Sequence, residues 1–292
     1  MCCDRLWPVI LPNVSLSASA PDYLLIGHLA CDRTPQGLRL GGTAAYAALT
    51  AKALGLRVGV VTAWGGEIPL HALQGIALQV KAASHSTTFE NVYTEKGRLQ
   101  YLHHVAPVID MQEVPLPWRE AIILHLGPIA QEIQTVPDAT FKARLTGMTL
   151  QGWLRTWDES GRVSPCDWPQ AARFLRRADV AILSREDVNG DESRIQTLAN
   201  DCQMLVVTAG KEGACLFWNG REYPCDAPQQ VEVDATGAGD IFAAAFFCRL
   251  LQTDDPREAT RFATHLASCS VTRSGLAGIP TPAEIEACLE VP

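Results

Sequence analysis

No run of apolar residues in this 292-residue chain approaches the roughly 18–20 that cross a bilayer. No G-x-x-x-x-G-K-[ST] stretch is present, and no G-x-G-x-x-G follows the first strand-like segment, which disfavours P-loop kinases and dinucleotide enzymes. Ten cysteines are scattered without a C-x-x-C pair, and seven histidines lack any H-x-x-x-H spacing, so neither a zinc nor a redox centre is expected. The cysteines read as reduced, mostly buried thiols of a cytoplasmic protein. Charged residues make up only 19% of the chain, which leaves little for long disordered tails. Bases are outnumbered, 24 against 32 acids, and the net charge of -8 argues against a nucleic-acid or anionic-membrane surface. A small anionic ligand is not excluded, because it needs only local positive potential.

What is present is a large core: 47% of residues are hydrophobic. Residues 1–20 read as an N-terminal extension. The segment has a short apolar patch and a small-residue end, but Asp4 precedes the patch and Pro8, Pro12 and Asn13 interrupt it, against the pattern of a secretory leader. From residue 21 the pattern alternates. "DYLLIGHLACD" is a buried strand with a turn at Gly27, "GGTAAYAALTAKALG" is an Ala/Leu-rich helix stopped by Gly55, and "RVGVVTAWG" is another buried strand. Strand, helix, strand implies a parallel sheet with crossovers. "STTFENVYTEKGRLQYLHHV" (86–105) is instead a hairpin, rich in Thr, Val, Tyr and Phe around "EKG". Further on, "AIILHLGP", "VAILS" and "MLVVTAG" read as strands, "WPQAARFLRRAD" and "RIQTLANDCQ" as helices, and "ACLFWNGREYPC" as a hairpin turning at Asn219-Gly220. With no repeat or linker, residues 21–292 are expected to form one α/β domain, a doubly wound and mostly parallel sheet with a small β excursion.

The stretch "DATGAGD" (234–240) sits directly against the apolar run that begins at Ile241. Gly237 and Gly239 permit backbone angles other residues resist, and with Ala238 between them three amides can face one point unobstructed. A helix N-terminus adds unsatisfied N–H groups and partial positive charge. Together these make an anion hole from backbone alone. Asp240 reads in two compatible ways, as a helix cap or as a general base that takes a proton from a hydroxyl attacking a phosphoryl group.

These residues resemble the signature of the ribokinase-like (PfkB) family of carbohydrate kinases. The resemblance implies that the amides of Gly237, Ala238 and Gly239 form the anion hole and that Asp240 is the catalytic base. "GGTAAYAALTAKALG" is similar to the family's Gly-Gly signature, which places Gly41 and Gly42 beside the substrate, with Tyr46 where an Asn is usual. "GHLACD" matches the first-strand pattern and makes Asp32 a ligand for substrate hydroxyls, a role that suits a carboxylate acceptor. "VVTAGKEGACLF" and "ASCSVTRSGLAGIP" are similar to the segments that border the nucleotide, implying contacts from Thr208, Gly210, Gly213, Ala267, Ser268 and Gly275, with Thr236 beside the phosphates. The family's Asn-x-x-Glu is altered here to Ser184 and Asp187; Ser184 is placed at the nucleotide and Asp187 in the water shell of Mg²⁺. Only "RTPQGLRL" separates Asp32 from Gly41, so a small, reduced β lid is expected, with elements near 33–40 and 86–105.

The resemblance implies an ATP-dependent kinase acting on a hydroxyl of a small sugar or polyol, with ATP and Mg²⁺ as cofactors, as a monomer or homodimer. A nucleoside kinase of the same fold and a non-catalytic sugar- or nucleotide-binding relative are the alternatives. The altered Ser184/Asp187 pair favours the last, and the intact base and anion hole oppose it.

Overall fold

The computed structural model of the chain describes residues 19–94 and 97–290. Most of the expected N-terminal extension, residues 1–18, lies outside the described residues. β1 (Tyr23–Ile26) is followed by a hairpin, β2 (Ala30–Thr34) and β3 (Gly37–Gly41), and then by α1 (Thr43–Ala53). β4 (Val58–Trp64) and β5 (Ala77–Ala82) precede a second hairpin, β6 (Thr87–Thr94) and β7 (Gly97–His104). β8 (Ile123–Leu126) and β9 (Leu145–Thr149) lead to a short hairpin, β10 (Arg155–Trp157) and β11 (Val163–Pro165). Then come α2 (Ala171–Leu175), β12 (Val180–Ser184), α3 (Glu192–Asp201), β13 (Met204–Thr208), and the hairpin of β14 (Ala214–Trp218) and β15 (Arg221–Cys225). α4 (Ala238–Thr253), α5 (Pro256–Ser270) and α6 (Pro282–Glu290) finish the fold.

Nine strands form the main sheet in the order β15-β14-β13-β12-β9-β8-β1-β4-β5, parallel from β13 to β5 with an antiparallel hairpin at one edge. Side chains alternate across it. Tyr23 and Leu25 join one core with Phe242, Phe246 and Phe262 of α4 and α5, while Leu24 and Ile26 join the other with Phe174, Ile195 and Leu198 of α2 and α3. Strands buried on both faces read as continuous apolar runs, which is why β1, β8 and β12 were recognisable in sequence. The chain winds outward in both directions from β1, so the winding reverses between β1 and β8. Ligands of such sheets bind beyond the strand carboxyl ends at that reversal.

The segment expected to leave a reduced lid instead makes both β2 and β3, turning between Thr34 and Gly37. With β6 and β7 they form a separate four-stranded sheet, β3-β2-β6-β7. The lid is small but keeps four strands. A buried cluster of Ala30, Phe89, Leu102, Ile129 and Ala130 joins it to the body, with Trp157 and Val163 of the β10–β11 hairpin packed alongside. "WPQAARFLRRAD" yields only five helical residues, and β5, β9, β10 and β11 had no strand-like sequence signal. Among the described residues, no helix is long and apolar enough to cross a membrane.

Candidate active site

A cleft of about 1870 Å³ runs between the lid and the carboxyl ends of the strands. Single drug-sized ligands occupy roughly 300–1,000 Å³, so this cleft has room for two ligands side by side. α4 enters it end-on. Its cap, Gly237, has φ 80, a left-handed conformation that suits glycine. Among the described residues, the N–H groups of Gly237, Gly239 and Asp240 have no hydrogen-bond partner. That of Ala238 is occupied by the carbonyl of Ala235 at 3.2 Å, and helical bonding starts with Ile241 N–H to Gly237 C=O at 2.9 Å. Of the expected anion hole of 237–239, the amides of 237 and 239 are open, with that of 240 beside them, while the 235–238 turn closes on the amide of 238. A β-carbon on Gly239 would meet nothing within 4 Å, so packing does not require this glycine.

Asp240 lies in the first turn of α4, partly buried. Thr43, the first residue of α1, donates its hydroxyl to Asp240 Oδ1 at 2.6 Å. The carboxylate is thereby held with Oδ2 left to accept a proton. Burial, against the pull of Thr43 and Arg155, pushes its pKa up to about 6. Asp32, on the lid strand β2, is likewise pushed up to about 6, by burial first and then by Asp240 and Asp234. Asp32 and Gly42 face the cleft from the lid side, and Tyr46 lines its floor. Gly41, expected beside the substrate, does not line the cleft. It faces the Asp32 carboxylate instead, and any β-carbon there would collide with it. Gly41 therefore leaves room for the Asp32 carboxylate.

The same cleft is lined by Thr208, Gly210, Gly213, Thr236, Ala267 and Ser268, together with Ser184 and Gly275, so all eight residues expected at the nucleotide border it. Ser184 and Asp187 form a capping box: Ser184 Oγ accepts from Glu186 N–H at 3.2 Å, and Asp187 Oδ2 accepts from Ser184 N–H at 2.8 Å. Gln151 donates to Asp187 Oδ1 at 3.3 Å. Burial outweighs these bonds and the nearby Arg155, so the Asp187 pKa is raised. Among the described residues no cluster of three or more His, Cys, Asp or Glu side chains offers a direct metal cage.

Three side chains not assigned a role from the sequence complete the site. Asp234 accepts from Thr236 N–H (2.9 Å), Gly275 N–H (2.9 Å) and Ser274 Oγ (3.1 Å), tying the glycine turn to Ser274 and Gly275. Thr43 holds the base. Arg155, 8% exposed, stacks its guanidinium on Phe89 at 5.5 Å and gives one bond, from Nη1 to Ile129 C=O at 3.3 Å. Arg155 lines the cleft, within electrostatic range of Asp187 and Asp240.

The arrangement of a switch-point cleft, an amide cradle at a helix N-terminus and a carboxylate beside it is that of a phosphoryl-transfer site. Residues 171–283, which carry the amide cradle, match the pfkB family carbohydrate kinase model. Over those residues the chain is similar to the pfkB carbohydrate kinases. It is 27% identical over 259 residues to a cytidine kinase of Thermococcus kodakarensis, covering 77% of this chain and 87% of that one. It is 24% identical over 287 residues to a probable fructokinase-4 of Arabidopsis thaliana, covering 86% and 87%. Its fold superposes on a pyrophosphate-dependent kinase in the ribokinase family with a TM-score of 0.76 at 19% identity, over 92% of this chain and 100% of that one. It also superposes on Arabidopsis thaliana ribokinase complexed with ribose and ATP, with a TM-score of 0.69 at 18% identity, over 94% and 100%. These two kinases share the α/β fold seen here.

Proposed function

We propose that the protein transfers the γ-phosphoryl group of ATP to a hydroxyl of a small sugar or polyol. The observation that carries this reading is the Asp240 carboxylate, held by Thr43 at 2.6 Å, in the same helical turn as the open amides of Gly239 and its own N–H. In this reading the acceptor lies between Asp32 and Asp240 beneath the lid. Asp32 accepts its hydroxyl hydrogens, and Asp240 accepts the proton of the attacking hydroxyl through Oδ2. The amides of Gly237, Gly239 and Asp240 receive the charge on the transferred group from one side, and Arg155 reaches it from the other. The cleft lining from Thr208 to Gly275 supports a nucleoside-bearing donor, since pyrophosphate alone needs no such extent. Asp187, a hard oxygen ligand with waters, suits Mg²⁺, which is commonly held by one or two carboxylates, water and substrate phosphates. The ion would neutralise phosphate charge.

Measuring ADP release against a panel of sugars, polyols and nucleosides, with pyrophosphate as a second donor, tests the assignment. Turnover with a sugar or polyol and ATP is expected. Turnover confined to nucleosides would move the protein to the nucleoside kinases, and no turnover with ATP bound would make it a binding protein.

Two further outcomes follow from the site. Both Asp240 and Asp32 must be ionised, one to take a proton and the other to accept hydroxyl bonds. With both pKa values about 6, kcat/KM should fall as pH drops through that value, with a log–log slope steeper than one. A flat profile down to pH ~4.5 would contradict ionisation near 6. Replacing Arg155 by Met, which keeps the stem against Phe89, should lower kcat by on the order of 10²-fold. A larger change in acceptor KM than in kcat would place Arg155 on the acceptor instead.

A further inference from the structure

Tyr46, which stands where the family usually has an Asn, lines the cleft and also packs against the first turn of α4. It is 2% exposed and lies directly under the cap of α4. A β-carbon on Gly237 would collide with Cγ, Cδ1 and Cε1 of this ring, so the Gly237 Cα rests on it in close contact. Thr43 and Tyr46 are three residues apart and therefore share one face of α1. From that face Thr43 grips Asp240 and Tyr46 supports Gly237, the two ends of the donor turn. The Tyr46 hydroxyl has no partner among the described residues and lies 3.9 Å from where a Gly275 β-carbon would stand. The hydroxyl therefore does not anchor the ring; packing in the first turn of α1 does.

We propose that Tyr46 is a positioning residue for phosphoryl transfer, whose ring sets the height of the Gly237 turn so that the amides of Gly237, Gly239 and Asp240 converge on the transferred group. The inference rests on the kinase reading above. Without the ring the left-handed turn has no floor, and the amides are free to move relative to Asp240. Misplacement by about 1 Å in such a site can cost 10²-fold in rate.

The test compares Tyr46→Phe and Tyr46→Leu by steady-state kinetics, thermal melting and calorimetric binding of a non-hydrolysable ATP analogue. Tyr46→Phe keeps the ring and should retain most of the wild-type kcat and analogue affinity. Tyr46→Leu should lose on the order of 10²-fold in kcat, with weakened analogue binding and little change in acceptor KM. If Tyr46→Leu does not fold, Tyr46→Met serves as the ring-less variant. A raised acceptor KM with kcat preserved would make Tyr46 a substrate ligand only and overturn the proposal. So would equal losses in Tyr46→Phe and the ring-less variant, or a ring-less variant that melts lower but turns over normally. Absence of turnover in the wild type would defeat the kinase reading separately, and analogue affinity in the two variants would still report on the ring.

Discussion

Asp240→Asn is expected to lower turnover by roughly 10²–10⁴-fold, the range that a positioned base contributes, in a protein that still folds and still binds ATP. The substitution preserves shape: the Asn Oδ1 can accept the Thr43 hydroxyl as the carboxylate does, at 2.6 Å. It removes only the group that takes the proton. Stability should not fall with activity. Burial raises the Asp240 pKa from 3.8 to about 6, so the folded state holds this proton more tightly than the unfolded chain. That preference favours folding at low pH and is lost as pH rises through about 6. At pH 7 the ionised carboxylate is a burden that a neutral Asn does not impose. The melting temperature of the variant at pH 7 should therefore equal or exceed that of the wild type. A variant with near-normal turnover would reduce Asp240 to a first-turn acid of α4, and one that melts lower would show that the carboxylate supports the fold.

Gly239→Ala should produce the second large loss, again without unfolding. Space around the missing β-carbon is open for 4 Å in the protein itself, so an added methyl meets no wall and helix propensity favours Ala. The methyl instead occupies the approach of the transferred group to the open amides. Weakening one such donor costs on the order of 10²–10³-fold in kcat. The expected result is a protein with an unchanged or higher melting temperature, a matching drop in turnover and weaker donor binding. Full activity would remove the Gly239 amide from the mechanism. By contrast, the Ala238 amide is already engaged by Ala235, so its loss would act through the turn and not by direct contact.

The difference between residues 238 and 239 shows what a sequence can and cannot disclose. "DATGAGD" announced a backbone cradle because small residues before an apolar run have few other uses, and the helix began where the apolar run implied. Which amide was free depended on a 3.2 Å bond within the turn, a detail no spacing encodes. Asp32 and Asp240 were legible as separate motifs, and the fold brought them into one cleft. Arg155 was not legible. In "QGWLRTW" it resembles any surface arginine, and only the β10–β11 hairpin, packed at the lid joint, buries it against Phe89. β9 was hidden for another reason. Its sequence LTGMT has a glycine at its centre, where the Phe247 ring of α4 leaves no room for a β-carbon. The lid looked deficient because its first hairpin is built from five-residue strands joined by a two-residue turn, close to the minimum that pairs.

The most direct measurement follows the phosphoryl group itself. Wild-type protein and Asp240→Asn are each incubated with Mg²⁺, ATP labelled at the γ-phosphate and a mixed panel of sugars and polyols, and the label is traced. The wild type is predicted to move label onto an organic acceptor as a phosphate ester, and the variant to bind ATP while forming little or none. Label that stays on ATP with the wild type under every acceptor, or that reaches an acceptor equally well in the variant, would contradict the account.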